Sequence, residues 1–569
     1  MFRKKINGKL RITLVSASLV ITSFISYSFV DAYFEVSKNL DIFSSVFREI
    51  NMYYVDSVEP GKLMKKGIDE MLECLDPYTN FIPESDMEDY RYMTTGQYGG
   101  IGAMIRQKDD FIIISEPYEG FPAQKSGLMA GDLILEIDGK SVKGKRTDDI
   151  SHILKGSPGT KVKLLIKREG SEKNLEKELT REEIKIKSVP WSGFVRNGIG
   201  YIRLNSFTEN AGRDIGNALK QLKGDGTLNG VVLDLRGNPG GLLFEAVNVA
   251  NVFISKGKSI VSTRGKVRES ERNYKAINEA IDTDVPLVVL VNRGSASASE
   301  IVSGSIQDLD RGVIIGQRTF GKGLVQTTRP LPYNAQIKIT TAKYYIPSGR
   351  CIQALDYSHR NDDGSVGKIP DSLVTSFTTS TGRIVYNGGG IQPDIVMPQE
   401  KFSNITSSLI SKGIIFDFAS EYVRKHPTLT STEVELTEAD FRDFQDFLSR
   451  KQYDYSTKSE KSLEEFAKNA EEEKYYSVLK NDIEQLKEKL THDKQEDVLR
   501  NRKEIIELLE EEIASRYFYQ VGRIRKSLAH DPELEKAIEV LKDKSLYKGI
   551  LNGEIKIDAS ANELPEDQK

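Results

Sequence analysis

The chain has 569 residues, 38% hydrophobic and 29% charged, the proportions of a globular protein long enough for about four domain-sized units. A formal net charge of -4, with Lys and Arg interspersed among Asp and Glu, supplies no basic field and argues against nucleic acid as a partner. Only Cys74 and Cys351 occur, read as free thiols, which excludes a disulfide scaffold; five histidines with no HExxH motif and no Cys/His ligand spacing point to no metal and no cofactor.

Arg3, Lys4, Lys5, Lys9 and Arg11 precede an uncharged stretch from Ile12 to Val30, a positive n-region ahead of an apolar h-region. The expectation is export. Nineteen residues at helical rise come close to the ~30 Å hydrocarbon core, so segment 1–31 fits a cleaved signal and an uncleaved inner-membrane anchor equally well. The positive flank keeps the N-terminus cytoplasmic and places everything after Asp31 outside, making the protein periplasmic, secreted or anchored facing outward. In region 35–92, Leu40, Phe43, Phe47, Ile50 and Tyr54 recur at three and four and predict a helix. Pro60 opens a second helix, with Met64, Ile68, Met71 and Leu72, that stops at Leu75-Asp-Pro.

Between 95 and 182 the pattern changes to short apolar runs separated by glycines: Phe111–Ile114, Leu133–Leu135 and Val162–Ile166. With Tyr98-Gly-Gly-Ile-Gly-Ala103 ahead of a strand, Ser126-Gly-Leu at a turn and Gly131-Asp-Leu-Ile-Leu-Glu-Ile-Asp-Gly139 after it, this module resembles a PDZ domain. Such domains add a peptide strand to a sheet edge and receive its carboxylate on glycine-rich amides, a role that falls here on Gly99, Gly100, Ile101 and Gly102. From 183 to 400, the strands Ile199–Leu204, Val231–Leu235, Val285–Val291 and Val313–Ile315 alternate with helical stretches near Glu209–Lys223, Leu242–Ile254 and Ser297–Leu309. That alternation predicts an α/β layer with parallel pairing. Beyond 400 the chain is charged and helical, with Ile483, Leu486, Leu490, then Ile506, Leu509 and Ile513 at helical spacing; packing, gating and homodimer formation all fit this extension, 401–569, whose end frays.

Twenty-five residues separate Ser297, in Gly294-Ser-Ala-Ser-Ala-Ser-Glu300, from Lys322, in Thr319-Phe-Gly-Lys-Gly-Leu-Val-Gln326. They read as nucleophile and base. A serine hydroxyl needs a partner to take its proton, and a lysine serves only when its ammonium is desolvated, which Phe320 and the glycines are expected to achieve. Ser297-Ala-Ser-Glu300 also fits a capping box, and the two roles coexist, because a helix N-terminus favours the charge of an oxyanion. Gly316–Lys322 matches a GxxxxGK phosphate loop, but Gly323 replaces the required Ser/Thr and the adjoining Leu324–Pro332 is strand-like rather than helical.

With Asp234-Leu-Arg-Gly-Asn-Pro-Gly-Gly241, these segments resemble the carboxyl-terminal processing peptidases, or tail-specific proteases, a serine-lysine family carrying a PDZ domain. The likeness runs from about Leu72 to Asp394 and includes Leu75-Asp-Pro-Tyr-Thr79, Gly100-Ile-Gly102, Tyr345-Ile-Pro-Ser-Gly-Arg350 and Gly390-Ile-Gln-Pro-Asp394. It implies that Ser297, rather than Ser295 or Ser299, attacks, that Lys322 takes its proton and that Gln326 orients the lysine. It also implies that the amides of Gly240 and Ala298 receive the oxyanion, with Gly241 the neighbouring alternative. Lys155 matches a basic position facing the catalytic core, and the substrates implied are proteins or peptides with free C-termini. The fold expected is an α/β catalytic core with an inserted β-rich PDZ domain, an N-terminal helical segment and a C-terminal helical extension. A catalytically silent PDZ adaptor is the alternative.

Overall fold

Four runs, Ile199–Arg203, Gly230–Asp234, Leu287–Val291 and Val313–Gly316, pair in parallel in that order, as apolar segments joined by helical crossovers do. Ser192–Arg196 extends one edge antiparallel and Ile395–Val396 the other in parallel. The computed structural model in which this sheet is seen describes residues 34–555 apart from 197, 362, 430–432, 454, 456 and 491–493. The Ile12–Val30 segment and the last residues, 556–569, lie outside it; among the described residues no helix is long and apolar enough to cross a membrane.

Alternate side chains of each strand serve opposite faces. Val231, Leu233, Leu287, Val289 and Val291 pack with Ile215, Leu219, Ala250, Phe253, Ile301 and Ile306 of the helices Ala211–Asp225, Leu243–Phe253 and Ala298–Asp308. Val232, Val288, Leu290, Val313 and Ile315 pack with Leu534, Ile538, Leu541 and Ile550 of two helices near the end of the chain, Pro532–Lys542 and Lys544–Leu551. The helical region beyond 400 therefore returns to close the second face of the core.

The PDZ sheet has strand order Ala103–Lys108, Phe111–Pro117, Leu133–Ile137, Lys161–Lys167, Leu175–Thr180, around a core of Ile112, Ile134, Ile150 and Leu164. Ala103–Lys108 is an edge strand, and the helix Thr147–Leu154 lies beside it. Its module docks on the helical region through Lys108 with Asp417 (2.7 Å), the Arg106 guanidinium 3.9 Å from the Phe416 ring, and Arg523 with Glu116 (3.4 Å). The helical region has its own core, built on Phe418, Phe441, Phe444, Leu509 and Ile513, while Leu486, one of the residues at helical spacing, is 47% exposed. The α/β core, inserted PDZ module and helical C-terminal region accord with the sequence reading.

The segment up to Phe81 forms a unit of its own. It contains helices 34–53 and Pro60–Glu73, with the Phe43 ring placed so that a β-carbon added at Gly67 would lie 3.9 Å from it. In Leu75-Asp-Pro-Tyr-Thr79 the Asp76 carboxylate accepts the amides of Tyr78 (2.8 Å) and Thr79 (2.9 Å), an Asx turn that ends the second helix.

Candidate active site

Ser297 occupies the turn between the strand Leu287–Val291 and the helix Ala298–Asp308, with φ 55 and ψ -111. A residue with a β-carbon held there stores about 1–3 kcal/mol of strain and persists only where its surroundings over-determine it. Here the Ser297 N–H donates to Glu300 Oε2 (2.8 Å), while the Ser297 carbonyl accepts the Glu300 amide (2.9 Å) and the Tyr344 hydroxyl (3.2 Å). The Glu300 arm of the expected capping box is thus present. Ser295 and Ser299 are fully buried, donating to the carbonyls of Leu235 and Asn238 at 2.8 Å each, so of the three serines only Ser297 lines the cleft.

Glu300 does more than cap. Fully buried, it accepts Thr319 Oγ1 (2.6 Å) and the Gly321 amide (2.7 Å) on Oε1, and the amides of Ser297 (2.8 Å) and Lys322 (2.9 Å) on Oε2. One carboxylate holds the backbone of Ser297 and that of Lys322 in common. Burial pushes the Glu300 carboxyl above the usual glutamate range, against the pull of these four hydrogen bonds. Sequence reading found Glu300 as a cap residue and missed this clamp, whose only local signal is an acidic side chain three residues after the serine.

The far end of the helix Ala298–Asp308 is tied down by the motifs Tyr345–Arg350 and Gly390–Asp394. Arg350, 1% exposed, donates to Gln307 Oε1 and Asp308 Oδ1 at 2.8 Å each, and Asp394 accepts Gln307 Nε2 at 2.9 Å.

The turn Gly237–Gly241 is pinned to both sides of Ser297, because the Asn238 carbonyl accepts the Ala296 amide (3.0 Å) and the Ser299 hydroxyl. Gly240, with φ 102, approaches so closely that an added β-carbon would lie 2.7 Å from the Ala296 carbonyl and 2.9 Å from both the Ala298 amide and Ser297 Cβ. Its own amide, expected to face an oxyanion, instead donates to Asn238 Oδ1 at 2.9 Å, an Asx contact that the local sequence Asn-Pro-Gly-Gly favours. The Ala298 amide is the first of its helix, one of the donors left over by the helical pattern. Gly240→Ala is expected to lower kcat by about 10²-fold or more by forcing this turn and the nucleophile apart, measured as steady-state cleavage by a variant with a native circular dichroism spectrum.

Lys322, half-buried, and Gln326 line the same cleft as Ser297, Ala298 and Gly240. Phe320 does not dry the lysine as expected: it is 51% exposed and outside the cleft, whose apolar lining beside the reacting residues comes from Ile301, Leu324, Val325 and Tyr344. Past Lys322 the chain enters a strand, Leu324–Pro330, as the case against a phosphate loop requires. A bulge between Val325 and Gln326 breaks its register with the strand Gln336–Tyr345, and Gln326 Nε2 donates to Thr340 Oγ1 at 3.1 Å. Among the described residues no cluster of His, Cys, Asp or Glu is arranged to hold a metal ion.

The cleft, about 1140 Å³, is walled by Met104, Tyr118 and Phe121 of the PDZ module and by Glu511, Tyr519 and Ile524 of the helix Arg502–Ser527, whose helical geometry breaks at Tyr519 (φ 53, ψ -150). Burial, with Glu507 and Glu512 adding to it and Arg523 and Lys526 opposing, pushes the Glu511 carboxyl from 4.5 up to about 7. The unfolded chain ionises there while the folded one still holds its proton, so Glu511 lowers stability as pH rises from about 4.5 to about 7, and no further above that. Urea melts across this interval should show Glu511→Gln with the shallower decline.

The proposed carboxylate loop lies outside this cleft's lining. Gly99 and Gly100 belong to the strand Gln97–Gly100, paired with Glu182–Lys185; the carbonyls of Gly99, Ile101 and Gly102 accept the amides of Gly156, Ala123 and Tyr118. Gly102, at φ 71, leaves room for Phe121. Lys155 pairs with Asp89 on the helix Met87–Thr95, whose Tyr92 and Met93 wall the cleft.

Residues 198–358 match Peptidase family S41, residues 113–168 match a PDZ domain, and residues 405–541 match the description "Probable PDZ-protease, C-terminal helical domain". The carboxy-terminal-processing protease of Bartonella bacilliformis is 40% identical over 321 residues, 56% of this chain and 73% of that protein. A "Probable CtpA-like serine protease" of Staphylococcus aureus is 37% identical over 318 residues, 55% of this chain and 63% of that protein. Among solved structures, the photosystem II D1 C-terminal processing protease aligns at 29% identity over 62% of this chain and 87% of that chain, with a TM-score of 0.34. The two family models and the Bartonella relative, 73% of which this chain spans, define a serine-type peptidase bearing a PDZ domain. The chain belongs to the carboxy-terminal-processing protease family.

Proposed function

We propose that this chain is an exported endopeptidase that captures substrate C-termini with its PDZ module and cleaves with Ser297 as nucleophile and Lys322 as general base. The observation that carries the reading is the shared clamp: Glu300 holds the strained Ser297 and Lys322 on one carboxylate beside a single cleft. Ser297 Oγ attacks the scissile carbonyl carbon as Lys322 Nζ takes its proton. The oxyanion is received by the Ala298 amide beside the Gly240–Gly241 turn, whose Gly240 N–H must leave Asn238 Oδ1 to serve as a second donor. Collapse breaks the C–N bond, and Lys322 returns the proton to the leaving amine. Water then attacks the acyl carbon, giving a proton to Lys322, and as the C–O bond to Ser297 breaks Lys322 passes that proton to Ser297 Oγ, releasing the new C-terminus.

Gln326 supports the lysine. With Nε2 committed to Thr340, its Oε1 is the atom offered to the amine, and a neutral amide orients without stabilising the unreactive ammonium as a carboxylate does. Substrate capture rests on the edge strand Ala103–Lys108, which comes after the Gly99–Gly102 loop and leaves one side open to an added strand beside Thr147–Leu154. Export rests on the charged and apolar segments before Asp31, which either anchor the chain or release it after cleavage. Amidating the C-terminus of an unfolded substrate is expected to raise KM by about tenfold or more at unchanged kcat, since a remote carboxylate contributes equally to ground and transition states. Equal KM values remove the PDZ module from recognition.

A further inference from the structure

The turn beside Ser297 is held at its other end by a separate buried cluster. Arg236, its side chain 14% exposed, donates through Nε to Asp234 Oδ1 (3.0 Å) and through Nη2 to Asp234 Oδ2 (2.7 Å) and Asp531 Oδ2 (2.6 Å). Its Nη1 reaches Asp531 Oδ1 (3.0 Å) and Glu533 Oε2 (2.7 Å). Every N–H of the guanidinium is used, and the two forks fix its plane. Asp234 ends the strand Gly230–Asp234 and accepts the Arg236 amide at 2.8 Å, so side chain and backbone of Arg236 are fixed together. Asp531 caps the helix Pro532–Lys542, accepting the Leu534 amide at 3.0 Å, and that helix packs on the second face of the sheet.

From Arg236 the chain runs directly into the oxyanion turn. The Gly237 amide donates to Asn292 Oδ1 (2.9 Å), Asn238 Nδ2 to the Leu204 carbonyl (2.8 Å), and the Asn238 carbonyl receives the Ala296 amide and Ser299 hydroxyl on either side of the nucleophile. Arg236 thus fixes the entry to a turn whose later residues are held by Asn292 and by the Asn238 side chain. We propose that Asp531 and Glu533 are positioning residues of the protease: by holding Arg236 they set the Gly237–Gly241 turn where the oxyanion forms. The end of the helical region is then part of the catalytic apparatus as well as a cover for the sheet. The proposal rests on the serine-lysine reading above.

Asp531→Asn removes the charge while keeping a side chain that caps a helix equally well, and Glu533→Gln leaves that cap untouched, carrying the test if the first variant fails to fold. Both are compared with the wild type in kcat and KM, in affinity for a peptide aldehyde that adds to Ser297, and in affinity for the matching unreactive peptide alcohol. The expected result is a kcat lowered by about tenfold or more, KM and alcohol affinity within about twofold, and aldehyde affinity reduced in step with kcat. A merely structural role changes the melting temperature and the folded fraction and leaves kcat per titrated active site intact. Folded variants with wild-type kcat, or with lowered kcat and undiminished aldehyde affinity, overturn the proposal while leaving the serine-lysine reading standing. Persistent turnover by Ser297→Ala overturns both.

Discussion

Glu300→Gln is expected to lower kcat by about 10²- to 10³-fold and to destabilise the fold by about 2–4 kcal/mol, although the replacement has the same shape. The carboxylate receives four donors, two on each oxygen: Thr319 and Gly321 on one, Ser297 and Lys322 on the other. A glutamine amide has one oxygen. Turned one way, its NH₂ faces the amides of Ser297 and Lys322 and leaves both buried without an acceptor; turned the other, it can donate to Thr319 Oγ1 but leaves the Gly321 amide unpaired. If the amide nitrogen faces Ser297 and Lys322, both reacting residues lose their common restraint, and the strained backbone at Ser297 relaxes. Thr319→Val removes one donor of the four and is expected to cost far less in kcat. Steady-state kinetics and urea melts of the two variants check this; a Glu300→Gln enzyme with native kcat shows that the clamp does not position the site.

The division between what the residues disclose and what folding adds is clear in this site. Ser297 is distinguishable from Ser295 and Ser299 in sequence only through a resemblance, whereas in three dimensions burial separates them: both neighbours are consumed by backbone carbonyls. Glu300 is legible as a cap because capping is local, but its bonds to Gly321 and Lys322 cross more than twenty residues and leave no periodic trace. Phe320 fails as a wall for the converse reason: adjacency in sequence says nothing of the side on which a turn residue emerges. The central strands are apolar on both faces, which requires a layer on each. Crossover helices account for one. The second comes from Pro532–Lys542, some three hundred residues from Arg236, and neither that return nor the cluster of Asp531 and Glu533 is foreshadowed by helical spacing alone.

Ser297→Ala and Lys322→Met are each expected to reduce turnover by at least about 10³-fold, because nucleophile and base act as a unit and removing either one loses most of what both provide. Ser295→Ala and Ser299→Ala remove one buried donor each from carbonyls that keep a backbone amide partner, and are expected to keep measurable activity. Binding of a substrate tail is expected to survive in both inactive variants, since neither Ser297 nor Lys322 belongs to the PDZ edge strand. Methionine is the decisive replacement for the lysine: it retains an unbranched stem of similar length and withdraws only the amine. The most direct measurement is therefore the rate at which Lys322→Met digests an unfolded protein with a free apolar C-terminus. The account predicts no cleavage above about a thousandth of the wild-type rate, and digestion at a rate near wild type contradicts it.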